Sequence, residues 1–267
     1  MKISVIIPVF NEEKVIAECL TSLREQNEKD FEIIVVDDGS TDKTLEIIRK
    51  FNVVILEQKH QGPATARNLG AKNAKGKILV FVDADMTYNS NFLQNLVKPI
   101  QENKANGTFS KDEFVSNWNN NWAIDWNINE NLPDKRRLPK NYPDHQKVFR
   151  AILKSEFDKV GGFSKGGYTD DYTLSDKLGY EATAATNAVF YHRNPDSLEE
   201  VYKQAKWMGK REYKLGIVGI LIALIRSSLP ISIIVGIWKK IFVFKIIYDF
   251  GIFVGILEMV ITNKTAK

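Results

Sequence analysis

Short apolar runs alternate with amphipathic segments over the first hundred residues of the chain, and this alternation predicts strands and helices in turn. The apolar runs predict strands at Ile3–Ile7, Phe31–Val36, Val53–Leu56 and Lys77–Val82. The remaining segments predict helices at Glu12–Gln26, from Asp42 to Phe51, at Pro63–Ala74 and at Asn91–Asn103. A β-α-β series of this kind predicts an α/β fold, in which helices cover a mostly parallel twisted sheet.

The regular pattern ends near residue 103. Residues 104–146 are polar and rich in asparagine, and they are long for a connection inside a compact domain, so we interpret them as a functional insertion. Beyond them, the chain predicts strands at Val148–Leu153 and Ala182–Tyr191, a helix that opens at Asp170-Asp171, and a basic amphipathic helix at Ser197–Lys214. We expect one domain at 1–214, with halves at 1–103 and 104–214, and a separate C-terminal segment at 215–267.

The C-terminal segment is dominated by apolar residues. Two runs, Leu215–Ile225 and Leu229–Trp238, precede a third at Ile241–Ile261, which as a helix is long enough to cross the core of a bilayer. Charged residues interrupt the third run, and charges are costly in lipid; they are Lys245, Asp249 and Glu258. A transmembrane hairpin, helices lying in the plane of the membrane surface, and burial against protein all stay open. The first two predict a membrane-associated protein.

Composition excludes several classes of protein. Apolar residues make up 44% of the chain, enough for a packed core, and a net charge of +4 gives no indication of nucleic-acid binding. The single cysteine, Cys19, falls on the apolar face of the first predicted helix, and it excludes both a disulfide framework and a thiolate metal cluster. Such cysteine usage fits a reducing, cytoplasmic compartment for the catalytic part.

Acidic residues follow three of the predicted strands. They are Glu12 after the first strand, Asp37-Asp38 after the second, and Asp83 with Asp85 after the fourth. Ligands of open α/β sheets bind beyond the carboxyl ends of the strands, so we expect these carboxylates on one edge. Asp83 and Asp85 have the spacing and the oxygen ligands to hold Mg²⁺ or Mn²⁺, which could neutralise a diphosphate. The structural alternatives are a solvated turn for Asp83 and Asp85 and a helix cap with a turn for Asp38.

Five stretches of the chain, in order, resemble the family 2 glycosyltransferases, which have the GT-A fold. The matching stretches are Ser4–Glu13, Val35–Asp42, Gly62–Gly70, Phe81–Asp85, and Gly161-Gly162-Phe163 followed by Asp170–Leu174. The resemblance covers roughly residues 3–215 and implies an inverting transfer of a sugar from a nucleotide diphosphate sugar, a UDP- or GDP-sugar, with Mn²⁺ or Mg²⁺ as the cofactor. It makes 1–103 the nucleotide-binding half and 104–214 the acceptor half of a catalytic domain.

The resemblance also implies roles for individual residues. The nucleotide sugar would be bound by Pro8, Phe10, Glu12, Asp38, Arg67 and Asp83. Asp85 would ligate the metal, with Asp83 beside it. Asp171 matches the general base of the family's Glu-Asp pair, and Asp170, a shorter side chain than the glutamate, stands before it. His192 follows a strand and is a further candidate for the metal or diphosphate, although a lone histidine is as often structural.

The acceptor is expected to contact the second half of the domain. Trp118, Trp122 and Trp126 are spaced by four, so one helix would present the three indoles on one face, either to a core or to an acceptor or membrane interface. Gln204 and Trp207 resemble part of an element found in processive relatives, with Lys206 in place of its arginine.

Apolar helices that could contact a membrane, directly after a catalytic domain, predict a lipid-linked acceptor. Elongation of a surface polysaccharide is the alternative within the same enzyme class. A protein that binds a sugar nucleotide without catalysis, as a scaffold, is the alternative outside it. A dinucleotide-dependent dehydrogenase fits less well, because no Gly-x-Gly-x-x-Gly follows the first strand.

Overall fold

The computed structural model describes residues 2–164, 167–211 and 213–262. Its strands are β1 (Ile3–Val9), β2 (Phe31–Asp37), β3 (Val54–Glu57), β4 (Ile78–Phe81), β5 (Met86–Tyr88), β6 (Gly107–Ser110), β7 (Glu113–Val115), β8 (His145–Gln146), β9 (Ala151–Leu153), β10 (Ala182–Ala185) and β11 (Phe190–His192). Its α-helices are α1 (Ile16–Arg24), α2 (Thr44–Ile48), α3 (Pro63–Asn73), α4 (Phe92–Gln101), α5 (Asn121–Asn129), α6 (Lys154–Lys159), α7 (Thr173–Leu178), α8 (Leu198–Gly209), α9 (Gly216–Arg226), α10 (Leu229–Trp238) and α11 (Phe242–Thr262). A 3₁₀ helix, Gly167–Tyr172, precedes α7.

The chain divides into two units. Unit 1 runs to Phe114 and resumes from Lys140 to His192, whereas unit 2 holds Val115–Pro139 and resumes at Arg193. Residues 193–211 therefore group with the C-terminal helices, although the sequence analysis placed them in the first domain. The functional division at residue 214 stays a prediction.

Unit 1 is built around a sheet of eight strands in the order β3-β2-β1-β4-β9-β6-β10-β8. Strands β3, β2, β1 and β4 are parallel, as predicted, and β9 runs antiparallel to both β4 and β6. Alternate residues of β1 point to opposite faces, and both faces are apolar: Val5 and Ile7 enter one buried cluster and Ile6 another. Apolar residues on both faces are typical of a sheet covered on both sides.

Two strand predictions for unit 1 are corrected by the structure. The predicted strand Ala182–Tyr191 is two strands in two different sheets, because the chain turns at Asn187, whose φ is +59°. The region 104–146, interpreted as an insertion without predicted strands, contains β6, a strand inside the main sheet. The apolar pattern does not show β6 because its buried Thr108 and Ser110 are polar, and each hydroxyl donates to a backbone carbonyl at 2.7 Å.

The strand β5, which the sequence analysis missed, belongs to a second sheet of three strands in the order β5-β11-β7. In this sheet β11 runs antiparallel to β5, and His192 is paired with Met86. The pairing places His192 next to the chain segment that carries Asp85.

Unit 2 consists largely of helices. Its buried cluster joins residues of α5, α8 and α11, among them Trp126, Val201 and Phe244. Helices α8 and α11 approach closely at glycines: a Cβ atom added at Gly255 would lie 2.1 Å from the carbonyl oxygen of Lys206. The charges that interrupt α11 are paired within unit 2, since Lys245 contacts Asp249 at 2.8 Å and Glu258 contacts Lys206 and Lys210.

The third apolar run forms a helix, α11, but that helix does not meet the criteria for a membrane span. Among the described residues, no single helix is both long and apolar enough to cross a membrane, so the span predicted at Ile241–Ile261 is not found as such. Helices α9 and α10 meet the criteria of length and composition only when taken as a pair, and the pair is bent by 58°. The residues after 262 lie outside the described part of the chain.

Candidate active site

The acidic strand ends of unit 1 share one edge of the main sheet. Strand β1 pairs in parallel with β2 on one side and with β4 on the other, so the three carboxyl ends point the same way. Glu12 follows β1, Asp38 follows β2, and Asp83 and Asp85 follow β4. The edge that the strand pattern predicts is therefore present.

Asp38 is buried and saturated with hydrogen bonds. One carboxylate oxygen accepts from the side chain of Gln58 at 2.6 Å and from the backbone N–H of Gln61 at 2.8 Å. The other accepts from the backbone N–H of Gly62 at 2.8 Å and lies 2.9 Å from Nδ1 of His60. These four contacts use all the acceptor positions of a carboxylate. Asp38 thus holds the loop before α3 in place.

The imidazole of His60 lies where the resemblance expects the nucleotide base. Its ring stacks on the exposed ring of Phe10, with centroids 4.1 Å apart and an interplanar angle of 27°, while Nδ1 faces Asp38. Pro8, the third residue expected near the base, is half-buried at the end of β1. An aromatic heterocycle that stacks on Phe10 and donates an N–H to Asp38 makes contacts of the kind that a base would make.

A chain of ion pairs connects Asp83 to Asp171. Arg67, on α3, donates to Asp83 at 2.8 Å and to Asp171 at 2.6 Å, and Arg150 donates to the other oxygen of Asp83 at 2.9 Å. Burial alone would raise the pKa of Asp83, but the guanidinium groups of Arg150 and Arg67 hold that pKa well below its usual value. Arg67 is 7% exposed, so it belongs to the buried part of the site and is not a surface arginine.

The two aspartates predicted as catalytic residues differ in accessibility. Asp170 is buried, whereas the side chain of Asp171 is 42% exposed and is held by Arg67. Both lie in the 3₁₀ helix that leads into α7. Of the two carboxylates, Asp171 is the one that a solvent-borne acceptor can reach.

Asp85 faces His192. The carboxylate Oδ2 of Asp85 lies 2.9 Å from Nε2 of the imidazole, and Nδ1 of the same ring lies 2.9 Å from a carboxylate oxygen of Glu113. Each oxygen of Asp83 accepts from an arginine, so in this arrangement Arg67 and Arg150, rather than a cation, neutralise its charge. Within the ranges described, no group of three or more His, Cys, Asp or Glu side chains is placed to hold a metal.

The pair of Asp85 and His192 still fits a divalent cation whose coordination is completed by a ligand. Mg²⁺ in proteins is held by one or two carboxylates together with substrate phosphates, and an imidazole nitrogen is a frequent ligand of transition metals. One oxygen and one nitrogen that converge to 2.9 Å form such a partial donor set.

Glu12 lies among these acidic groups. Burial raises the pKa of its carboxyl to about 7, and the nearby charges of Asp85, Asp83 and Asp42 act in the same direction. Glu12 therefore carries a proton over part of the neutral pH range when no cation is bound.

The residues predicted to contact an acceptor all belong to unit 2. Trp126 is buried, with its ring edge-on to Phe244 and Tyr248, which confirms the packing interpretation for this residue. Trp122 is partly buried and packs against the same cluster. Trp118 precedes α5, so the prediction of one helical face carrying three indoles is wrong. Two further candidates are exposed on α8; they are Gln204 and Trp207.

Three residues of the site were not found from the sequence. His60 lies just before the matched stretch Gly62–Gly70 and belongs to no pattern with a chemical signal. Arg150 directly precedes a short strand, and Glu113 lies on β7, which the polar composition of the insertion concealed. No sequence signal marks Arg150 or Glu113, because their partners are distant along the chain.

The chain is similar to a known family and to known proteins. The family described as glycosyl transferase family 2 matches residues 4–161. Poly(ribitol-phosphate) beta-glucosyltransferase of Bacillus spizizenii is 42% identical over 120 residues, which cover 42% of this chain and 19% of the relative. The first curated relatives are much longer, and the chain spans only 16–22% of their length.

Solved structures show the same fold. Staphylococcus aureus TarS 1–349 in complex with UDP-GlcNAc superimposes with a TM-score of 0.59 at 22% identity, over 83% of this chain and 67% of that one. The mannosyltransferase PcManGT of Pyrobaculum calidifontis, in complex with GDP-Man and Mn²⁺, gives a TM-score of 0.58 at 19% identity, over 92% of this chain and 85% of that one. The predicted α/β fold of the GT-A type is confirmed.

Proposed function

This chain belongs to glycosyl transferase family 2, and we propose that it transfers a sugar from a nucleotide diphosphate sugar to an acceptor, with inversion at the anomeric carbon. The observation that carries the proposal is the set of contacts at the sheet edge, where Arg67 joins Asp83 to Asp171 and His192 faces Asp85. The cluster combines fixed cations and carboxylates at the edge where open α/β sheets bind ligands.

The nucleotide end of the donor binds against Phe10, Pro8, Glu12 and Asp38 in this proposal, and Asp83 contacts the sugar. A cation at Asp85 and His192 would neutralise charge on the leaving diphosphate. The buried arginines fix the orientation of Asp83, since each of its oxygens receives a guanidinium N–H.

Asp171 takes the proton of an attacking hydroxyl. Its carboxylate is accessible, and the 2.6 Å hydrogen bond from Arg67 fixes its position. A general base of this kind typically contributes 10²–10⁴-fold to the rate. An acceptor that is a lipid phosphate would already be an anion near neutral pH and would need no base, in which case Asp171 orients the acceptor.

The donor is a UDP- or GDP-sugar, and the cation is Mn²⁺ or Mg²⁺. Two solved structures of the same fold support these choices, since one is a complex with UDP-GlcNAc and the other a complex with GDP-Man and Mn²⁺. The acceptor is a lipid-linked glycan or lipid phosphate; a relative named for poly(ribitol-phosphate) supports the alternative of a polymeric surface glycan.

The enzyme acts at a membrane surface, with its catalytic part on the cytoplasmic side. This proposal is supported by the bent pair α9 and α10, where large apolar side chains are exposed within unit 2; Ile217 is 77% exposed and Trp238 is 78% exposed. Flotation with vesicles of phosphatidylcholine and phosphatidylglycerol tests it. The variant Ile217→Asp should float less than the wild type, whereas Val54→Asp, at an exposed apolar position of unit 1, should float normally. Equal flotation of the wild type and both variants would refute the proposed action at a membrane surface.

The activity is tested with the purified full chain, supplied with UDP- and GDP-sugars, Mn²⁺ or Mg²⁺, and a short polyprenyl phosphate or a poly(ribitol-phosphate) acceptor. Transfer of sugar to either acceptor would support the proposal and identify the acceptor, provided that NMR shows an inverted anomeric configuration in the product. Tight nucleotide binding without turnover of any donor would favour the non-catalytic scaffold.

A further inference from the structure

Glu113 lies directly behind His192. Its Oε1 is 2.9 Å from Nδ1 of the imidazole, and both side chains are largely buried, at 13% and 18% exposure. On the other side of the ring, Nε2 lies 2.9 Å from Asp85. The imidazole is thus held between two carboxylates, one behind it and one in front.

The second sheet fixes this arrangement. Glu113 lies on β7 and His192 on β11, the neighbouring strand, while β11 pairs with β5 so that His192 stands opposite Met86. Asp85 immediately precedes Met86 in the chain. Strand pairing therefore places the backbone of His192 beside that of Glu113 on one side and next to the segment that carries Asp85 on the other.

With a cation bound at Nε2 and Asp85, the hydrogen bond to Glu113 requires one form of the ring. A neutral imidazole has one N–H and one nitrogen lone pair. When the Nδ1–H is donated to Glu113, the lone pair is on Nε2, the nitrogen that faces Asp85. Carboxylates that bind the far nitrogen of a ligating histidine in this way fix its tautomer and its orientation and strengthen its binding to the metal.

We propose that Glu113 is a positioning residue for the cation site: it holds His192 so that Nε2, together with Asp85, binds the divalent cation that accompanies the donor diphosphate. The inference rests on the proposed function, because it assumes that a nucleotide diphosphate occupies the sheet edge. Glu113 does not touch the donor in this proposal and acts through His192.

The test measures Mn²⁺ binding by electron paramagnetic resonance to the full chain saturated with UDP. Glu113→Ala should weaken the binding of Mn²⁺ by roughly 10–100-fold, the usual effect of losing such a supporting carboxylate. Glu113→Gln retains a neutral acceptor for the Nδ1–H and should fall between Glu113→Ala and the wild type. Glu32→Gln, at the opposite end of β2 where its carboxylate binds Ser4, is the matched control and should bind Mn²⁺ normally.

A double-mutant cycle separates positioning from a general structural effect. In a His192→Ala background, Glu113→Ala should cause no further loss of Mn²⁺ affinity, because Glu113 acts only through the imidazole that has been removed. Affinity for UDP in EDTA should be the same with and without Glu113. Normal Mn²⁺ affinity of Glu113→Ala, or an equal loss in both backgrounds, would overturn the inference while leaving the proposed function standing. A wild type that binds neither UDP nor Mn²⁺ with UDP would overturn both.

Discussion

Replacing Glu12 by glutamine should change how the stability of unit 1 depends on pH. In the folded chain the pKa of Glu12 is about 7, against an ordinary value of 4.5, because burial and the neighbouring carboxylates disfavour its charged form. The folded state therefore binds this proton more tightly than the unfolded state does. The resulting stability is fully present below about pH 4.5 and is lost as the pH rises through about 7.

The size of the effect follows from the two pKa values. A pKa difference of about 2.5, at about 1.4 kcal/mol for each unit, amounts to at most roughly 3.5 kcal/mol. Between pH 5 and pH 8, unit 1 of the wild type should lose most of this amount relative to Glu12→Gln, which cannot ionise. Contributions that are common to both proteins cancel in the comparison.

Hydrogen exchange of the β1 and β4 amides, in EDTA and corrected for intrinsic exchange rates, is the suitable assay. Tryptophan fluorescence would not report on unit 1, because Trp118, Trp122, Trp126, Trp207 and Trp238 all lie in unit 2. Glu18→Gln, an exposed carboxylate on α1, serves as the control and should follow the wild type. Hydrogen exchange gives the free energy of opening of unit 1 at each pH. If this free energy changed with pH in the same way in the wild type and in Glu12→Gln, the proposed effect of the Glu12 proton on stability would be refuted.

Four other substitutions have defined outcomes. Asp85→Ala should abolish metal-dependent turnover while circular dichroism shows an intact fold; normal metal-dependent activity would exclude this assignment. Asp171→Asn should slow transfer to a hydroxyl acceptor by about 10²–10⁴-fold in steady-state assays, and a near-normal rate would point to a phosphate acceptor. His60→Ala should tighten UDP or GDP binding by about two- to tenfold in calorimetry, since a stacking contact of roughly 0.5–1.5 kcal/mol no longer competes with the base; weaker binding would make His60 a ligand instead. Gly255→Leu should destabilise unit 2 by several kcal/mol in urea unfolding followed by tryptophan fluorescence, because its Cβ would overlap the carbonyl oxygen of Lys206; an unchanged midpoint would contradict the close helix contact.

The parallel half of the main sheet was predictable from the sequence because its strands are continuous apolar runs. Val5, Ile6 and Ile7 are all fully buried, so the run itself reveals the strand, and the carboxylates that follow such strands reach the same edge whatever the loops do. For this reason the positions of Asp38 and Asp85 could be expected before the structure.

Elements stabilised by polar contacts could not be predicted in the same way. Strand β6 buries Thr108 and Ser110 through hydrogen bonds to distant backbone carbonyls, and periodicity of apolar residues does not detect such a strand. The roles of Arg150 and Glu113 depend on Asp83 and His192, partners 67 and 79 residues away in the chain. Pairings of this separation follow from topology, which the local pattern does not contain.

The C-terminal region shows a different limit. The apolar pattern of the sequence predicts a run of membrane length at Ile241–Ile261, but it does not show that Asp249 is neutralised by Lys245 and accepts a hydrogen bond from Ser232. Contacts with protein groups therefore suffice to explain how this apolar helix accommodates charged residues.

The proposed donor site is tested most directly by a crystal structure of the chain with UDP or GDP and Mn²⁺, supported by calorimetry of the same complex. We expect the base on Phe10 in place of His60, and the diphosphate with Mn²⁺ at Asp85 and His192. A nucleotide bound away from this sheet edge, or no measurable binding of either nucleotide, would contradict it.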